Sequence, residues 1–287
     1  MAFILARNWH ESQNERAQAF LGMTSTMTPS LSRTSVLPRV FLESFAVRDI
    51  AEPLASFDID APTSQVRAMM DTKGIAVVGI RRDGLVTDYV TRQSLQDGTC
   101  AQYAVAIDEN LVVDESTTLL ESIRRLNQSS FCFVRLLGEV GGIVTSDDLQ
   151  KAPVRMWLFG LVTLIEMRFA VLITSHLPGD AWKDHVSPGR LEKAQAILDE
   201  RRRRNQSPQL FDCLQFADKG KIIACHEGIR NATIFSSRRQ AEETTRRLES
   251  LRNSLAHAQD ILSNDWETII QLCDFVAHQS TKHLDTL

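Results

Sequence analysis

Between Ala61 and Leu149 the chain runs through one pattern twice, about 55 residues apart. A repeat of that length restricts the fold more than any single segment does, because both copies must fold as the same unit. In the first copy, Ala61-Pro62-Thr63 leads into an amphipathic helix carrying Val66, Met69 and Met70. The apolar strand Ile75 to Ile80 follows, then a turn at Arg82-Asp83-Gly84, a strand from Leu85 to Val90, and Thr91-Arg92-Gln93-Ser94-Leu95. In the second copy, Asp114 or Ser116 is placed to cap a helix bearing Leu119, Leu120, Ile123 and Leu126. The strand Phe131 to Leu136, a turn at Gly138 and the stretch Gly141 to Leu149 complete it. Six-residue apolar runs bounded by glycine turns are strand signals, so each copy reads in the order helix, strand, turn, strand, helix start.

After Pro153 short strands give way to long helices. Met156, Trp157, Phe159, Leu161, Val162, Leu164, Ile165, Phe169, Leu172 and Ile173 make a segment apolar over most of its circumference. It is long enough to span a membrane, but Arg155, Glu166 and Arg168 interrupt it. A buried bundle helix with its polar residues on one face is the expectation, with no membrane partner. Ser187-Pro188-Gly189 opens a helix to Arg201, with Ser at the cap and Pro in the first turn. The run Arg201-Arg202-Arg203-Arg204 at its end reads as a solvated helix terminus complementing the dipole, or as a phosphate contact. Ser207-Pro208 opens a helix with Leu210, Phe211, Leu214 and Phe216, which Lys219-Gly220-Lys221 interrupts. A long helix starts at Ser236 or Ser237 and passes Ala241, Thr245, Leu248 and Leu251. Ser263-Asn264-Asp265 caps a final one with Trp266, Ile269, Ile270, Leu272, Cys273 and Val276.

Three regions result: an N-terminal helix (Ala6 to Phe20) with a Ser/Thr/Pro-rich linker over 1–39, the repeat over 40–152, and an all-α helical bundle over 153–287. At 43% hydrophobic and 24% charged residues the chain is neither disordered nor fibrous. Net charge is −4, but residues 1–150 carry 13 Lys and Arg against 19 Asp and Glu, and residues 151–287 carry 19 against 17. The second half therefore repels a polyanion less. Five scattered cysteines without C-x-x-C spacing read as reduced thiols, and Cys225-His226 lacks the two further ligands of a zinc site, so no metal is expected. Phe3-Ile4-Leu5 is followed almost at once by Arg7, too short for a signal peptide, which makes the expected location cytoplasmic.

The segment Gly142-Ile143-Val144-Thr145-Ser146-Asp147-Asp148 has the form Gly-apolar-x-Thr-x-x-Asp, and with the repeat around it the region resembles a tandem pair of CBS domains, which implies an α+β fold of small mixed sheets with flanking helices. The resemblance implies an adenine nucleotide (AMP, ATP or a cyclic oligoadenylate) as regulatory ligand, with the Thr145 hydroxyl on phosphate and Asp148 accepting from ribose hydroxyls. In the first copy Thr91 is the corresponding residue, but Ser94 stands where Asp is expected and Asp88 near where Gly is common, so that cleft is weakened or empty. Thr and Asp at a strand-to-helix junction also serve as ordinary caps.

Leu251-Arg252-Asn253-Ser254-Leu255-Ala256-His257 places an Arg, an amide and an imidazole close together late in a helix. With 25 Arg and seven His in the chain, an Arg followed by His at such a distance arises by chance roughly twice, so the spacing alone carries little. In an unbroken helix Asn253 and His257 share a face, whereas Arg252 points about 140° from His257. The setting, toward the end of a packed helix and before a final amphipathic one, resembles a HEPN domain. That resemblance implies a homodimer with a composite groove, and RNA cleavage without metal or other catalytic cofactor that leaves a 2′,3′-cyclic phosphate. His257 would act as general base or acid, and Arg252 would neutralise charge developing at phosphorus. Asn253 would orient one of them or the phosphate. Glu166 would touch the site, or else pair with Arg168 or Arg155. A toxin or phage-defence effector fits such chemistry, and an antitoxin is an implied partner, though not one acting on a tyrosine two places beyond His257, where this chain has Gln259. The alternatives are that these residues only cap helix carbonyls, and that the protein is a nucleotide sensor whose helical region dimerises or binds a partner or RNA without chemistry.

Overall fold

The computed structural model describes residues 41–256, 261 and 266–282. The expected N-terminal helix, the Ser/Thr/Pro-rich linker, His257 and the Ser263-Asn264-Asp265 cap lie outside the described residues.

The repeat is present, and its two hairpins match residue by residue. Strands β1 (Glu52–Pro53), β2 (Ser56–Asp58), β3 (Val77–Arg82), β4 (Leu85–Thr91), β5 (Val105–Ala106), β6 (Val112–Asp114), β7 (Phe131–Leu136) and β8 (Glu139–Thr145) form two four-stranded mixed sheets, ordered β2-β3-β4-β5 and β1-β8-β7-β6. Helix α1 (Thr63–Lys73) belongs to the first copy and α2 (Leu119–Leu126) to the second. Val77 pairs with Thr91 as Phe131 pairs with Thr145, and a bulge between Ile80 and Arg81 recurs between Val134 and Arg135. Both hairpin turns use two left-handed residues, Asp83-Gly84 (φ 50° and 84°) and Leu137-Gly138 (φ 52° and 94°). That conformation gives the turn a twist matching the strands it joins. On the parallel side of each sheet an acid meets the hairpin arginine, Asp58 with Arg81 at 2.9 Å and Asp114 with Arg135 at 3.4 Å. The cap of α2 is thus neither Asp114 nor Ser116. Thr118 accepts the Glu121 N–H at 3.4 Å, because Asp114 is still in the strand.

Each copy also lends a segment to the other. Residues 46–53 close the second sheet: β1 runs antiparallel to β8, and the Val47 N–H donates to the Thr117 carbonyl at 2.8 Å. Residues 99–106 close the first: β5 runs antiparallel to β4, and the Cys100 N–H donates to the Ala61 carbonyl at 3.0 Å. The sheets meet through Tyr89, Phe131 and Phe133, whose rings lie 5.3 to 5.6 Å apart, packed with Leu54, Val77 and Ile143.

Helical structure takes over at α3 (Ala152–His176), where the sequence pattern changes, yet the apolar core does not stop there. Leu119, Ile123 and Leu126 of α2 share one core with Trp157, Leu161 and Phe169 of α3. Phe169 stacks on Phe216 at 5.7 Å and meets the edges of Phe235 and Phe275. The polar residues of α3 turn inward rather than to solvent: Arg155 donates to the Ser254 and Leu255 carbonyls, and Glu166 pairs with Lys219. Met156, Phe159, Met167 and Val171 lie on the exposed side instead. The inward charges are tolerated because they find partners, whereas the outward apolar groups, spaced i, i+3, i+11 and i+15, line one face of the helix.

Helix α4 (Pro188–Arg203) starts at Ser187 with proline in its first turn, as expected. The helix expected from Ser207-Pro208 is instead a short 3-10 turn (Leu210–Cys213), and α5 (Phe216–Cys225) begins after Gln215. Lys219-Gly220-Lys221 does not interrupt α5 but lies inside it. Gly220 is there because α5 and α7 (Arg238–Ala256) approach closely: a methyl at Gly220 would sit 1.9 Å from Thr245 Cγ2. Between them lies α6 (Glu227–Asn231). Ser237 caps α7, accepting the Gln240 N–H at 3.1 Å, and α8 (Trp266–Lys282) packs on α3 and α2, with Arg124 and Asp274 paired at 2.7 Å.

Candidate functional site

Leu248, Leu251 and Leu255 form the buried stripe of α7. One step of 100° beyond Leu251, Arg252 falls at the stripe's edge and is half-buried, and Asn253 is exposed. Both line a cleft of about 500 Å³, together with Glu249 of α7, Glu166 of α3, Ile197 and Arg201 of α4, and the 3-10 turn with its exit to Phe216. The structure therefore brings Arg252, Asn253 and Glu166 together. His257 lies outside the described residues.

The cleft is held from behind by ion pairs. Lys219, only 7% exposed, donates to Glu166 Oε1 at 2.9 Å. Glu166 lines the cleft, and its ion-pair partner is Lys219 rather than the expected alternative, Arg168 or Arg155. Arg155 lies a long way down α3 and closes the last turn of α7, at 3.1 Å from the Ser254 carbonyl and 3.2 Å from that of Leu255. Arg168 is two places from Glu166, a spacing that does not bring side chains together on a helix. Arg190 forks onto Asp218 at 2.7 and 2.9 Å, and that hydrogen bonding raises the arginine's pKa above its usual range. The fork fixes α4 against the start of α5 and so sets the cleft's width. Among the described residues, neither Arg252 nor Arg201 makes an ion pair. An arginine already in a site without a carboxylate to satisfy it is ready for an anion.

The residues expected to hold nucleotide are engaged with each other. The Thr145 hydroxyl and backbone N–H both donate to Asp148 Oδ2, at 2.9 and 2.7 Å. Lys151 reaches Asp148 Oδ1 at 2.8 Å, the Ile50 carbonyl at 2.6 Å, and Glu52. Burial opposes the charge on Lys151, but its hydrogen bonds to Asp148 and Glu52 outweigh burial and raise its pKa. This is the geometry of a cap, with the remaining carboxylate lone pairs able to accept from a ligand. In the first copy Thr91 and Ser94 close a similar turn, the Ser94 hydroxyl donating to the Thr91 carbonyl at 2.9 Å. Asp88 is 6% exposed and held by Arg82 at 2.8 Å, whose guanidinium lowers its pKa.

Two contacts left no mark in the sequence, and Arg201, expected only as one of a run of four, is the member of that run that lines the cleft. Lys219 reaches Glu166 only through tertiary packing. Gln150, two residues beyond Asp148, exchanges a pair of hydrogen bonds with Ile261 in the connection that follows the motif: its amide donates to the Ile261 carbonyl at 2.8 Å and accepts the Ile261 N–H at 2.9 Å.

No protein-family model matches the chain, and no curated protein does. Solved structures similar to part of it include CBSX2 in complex with AMP, 16% identical over 39% of this chain and 98% of that one, with a TM-score of 0.35. The CBS domain of a bacterial CNNM/CorC family Mg2+ transporter in complex with ATP is 18% identical over 43% of this chain and 96% of its own, with a TM-score of 0.33. A CBS domain protein of Thermoplasma acidophilum is 13% identical over 40% and 74%, with a TM-score of 0.33.

Proposed function

We propose that this protein is a metal-independent endoribonuclease whose activity is set by an adenine nucleotide bound to the paired repeat. The observation that carries the reading is that Arg252, free of any ion pair among the described residues, opens with Asn253 into a cleft of about 500 Å³ that Glu166 and Arg201 share. The competing idea, that the motif only caps helix carbonyls, is weakened because Arg155 already serves the carbonyls of Ser254 and Leu255.

The ribose 2′-oxygen attacks the adjacent phosphorus while His257 takes its proton. The bond from phosphorus to O5′ breaks, O5′ leaves with a proton from a second imidazole, and a 2′,3′-cyclic phosphate remains. A homodimer supplies the second His257 and a second Arg252. Arg252 offers a forked donor to the phosphorane-like transition state, worth about 3 kcal/mol for one such donor in a preorganised site. Nucleotide control runs from the Thr145–Asp148 turn through Gln150 to Ile261, four residues beyond His257. A ligand that binds one arrangement of that turn better than another would shift the motif by its differential affinity. A cytoplasmic stress, toxin or phage-defence effector, restrained by an antitoxin or by nucleotide, is the role such an enzyme suits.

A second reading is a nucleotide sensor without chemistry. It is favoured by Glu166, Asp212 and Glu249, three carboxylates on the cleft wall that oppose phosphate. Incubation of the protein with total RNA, with and without EDTA and with AMP, ATP or cyclic oligoadenylate, separates the two. Cleavage that survives EDTA, leaves cyclic phosphate ends and vanishes in His257→Ala is the expected result. No cleavage under any of these conditions would favour the sensor.

A further inference from the structure

We infer that Arg201 is a second phosphate clamp of this cleft, and that the substrate is an unpaired RNA strand running from Arg252 past Arg201 along the end of α4. This rests on the ribonuclease reading above and adds the strand's path and its single-strandedness. Two hollows meet at Ile197 and Arg201: the cleft that Arg252 and Asn253 line, and a neighbouring groove of about 700 Å³ bounded by Ala196, Glu200, Arg204 and Gln206. Arg201 stands on the wall common to both. A strand that crosses from one hollow to the other must pass its guanidinium.

The four arginines at this helix end are not equivalent. Arg203 and Arg204 both reach Glu200, at 2.9 and 2.8 Å, and must give up that carboxylate before meeting a phosphate. Arg201 has no such pair among the described residues and is exposed. Ile197, on the same wall, offers an apolar face against which a base or ribose can pack. The carboxylates of the wall are partly answered: Glu166 is neutralised by Lys219, and Asp212 accepts the Gln209 N–H at 2.8 Å. Hollows of this size each hold a nucleotide-sized group, and a base can enter one only from a strand whose bases are unpaired and splayed out.

The test uses the full-length protein and a 2′-O-methyl RNA oligonucleotide, which lacks the attacking hydroxyl and therefore reports binding without cleavage. Fluorescence anisotropy is measured across salt concentrations for the wild type, Arg201→Ala, Arg201→Lys, and a control with both Arg203→Ala and Arg204→Ala. Arg201→Ala is expected to weaken binding about tenfold and to reduce the slope of log K against log[salt] by about 0.7, the increment for one phosphate on a single strand. Arg201→Lys should restore the slope, and the double control should change both less than Arg201→Ala does. With cleavable RNA, Arg201→Ala should raise KM and leave kcat within about twofold, which a merely structural role would not do. Wild-type binding with an unchanged Kd and slope in Arg201→Ala overturns this inference alone. A fall in kcat with KM unchanged overturns it too. Wild-type protein that neither binds nor cleaves the strand overturns the ribonuclease reading and this one with it, and preference for duplex RNA overturns only the single-strand path.

Discussion

Gln150 and Ile261 exchange two hydrogen bonds across 111 residues of sequence, tying the end of the repeat to the connection behind the motif helix. Removing the amide in Gln150→Ala should cost about 1 to 3 kcal/mol, since each bond contributes roughly 0.5 to 1.5 kcal/mol. Hydrogen exchange at the Ile261 amide should accelerate, and any nucleotide dependence of RNA cleavage should shrink. Gln150→Glu keeps the acceptor for the Ile261 N–H and loses the donor, so its effect should be intermediate. An unchanged Ile261 exchange rate in Gln150→Ala would show that the pair does not hold this connection in solution.

Arg252→Ala removes a side chain with no ion pair to lose among the described residues, so stability should stay within about 0.5 kcal/mol of wild type. Cleavage should fall about 10²- to 10³-fold in kcat. Arg252→Lys keeps the charge but not the fork and should recover only part of the rate. A rate loss that tracks a drop in Tm would point to packing instead.

Lys219→Ala leaves the Glu166 carboxylate without its partner in a largely buried place. Breaking such a pair from one side should cost about 3 kcal/mol, and Glu166→Gln added to it should recover part of the loss. Urea denaturation of the two single and one double variant measures the coupling. Additive losses would mean that the pair contributes nothing to stability.

Gly220→Ala brings a methyl to 1.9 Å from Thr245 Cγ2, so α5 and α7 must move apart. Overpacking of this kind costs about 1 to 3 kcal/mol, and Thr245→Ser in the same chain should relieve only part of it, because Thr245 Cβ and Oγ1 also lie 2.8 Å from the added methyl. Thermal unfolding of the two variants settles the point.

Asp88 has its pKa lowered, first by the Arg82 hydrogen bond. A carboxylate depressed in the folded state adds stability above its unfolded pKa of about 3.9, and that contribution is lost as pH falls through the lower folded value. The difference in Tm between the wild type and Asp88→Asn should therefore be constant from pH 7 to about pH 5 and narrow below pH 4. A difference that stays constant down to pH 2.5 would rule out this pair as its source.

The parts of the fold legible in the sequence are those written in short-range chemistry. Apolar runs such as Ile75 to Ile80 and Phe131 to Leu136, with Asp83-Gly84 and Gly138 between strands, announce hairpins, and Ser187-Pro188 announces α4. Contacts between distant segments left no such mark. Glu52–Pro53 and Val105–Ala106 are two-residue strands, too short for any alternation, so their exchange between sheets could not be read. Gly220 looks like a helix breaker until α7 is seen against it. In the cleft, Arg252, Asn253 and Glu166 were legible as chemistry-bearing residues, whereas Arg201 looked like one member of a charged run. Its place on the wall of the cleft, and the Glu200 carboxylate that holds Arg203 and Arg204, separate it from those two.

The exchanged segments also govern the order in which the protein can be made. Strand β1 leaves the ribosome well before β8, the strand it borders, has been synthesised. The second sheet therefore waits, with its edge partner already translated, until the chain has passed Thr145. The first sheet can close once residue 106 has emerged. Neither copy can be excised at the sequence boundary of its repeat and remain whole. A chimera that transplants one hairpin must carry the opposite copy's short segment with it, residues 99–106 for the first and 46–53 for the second.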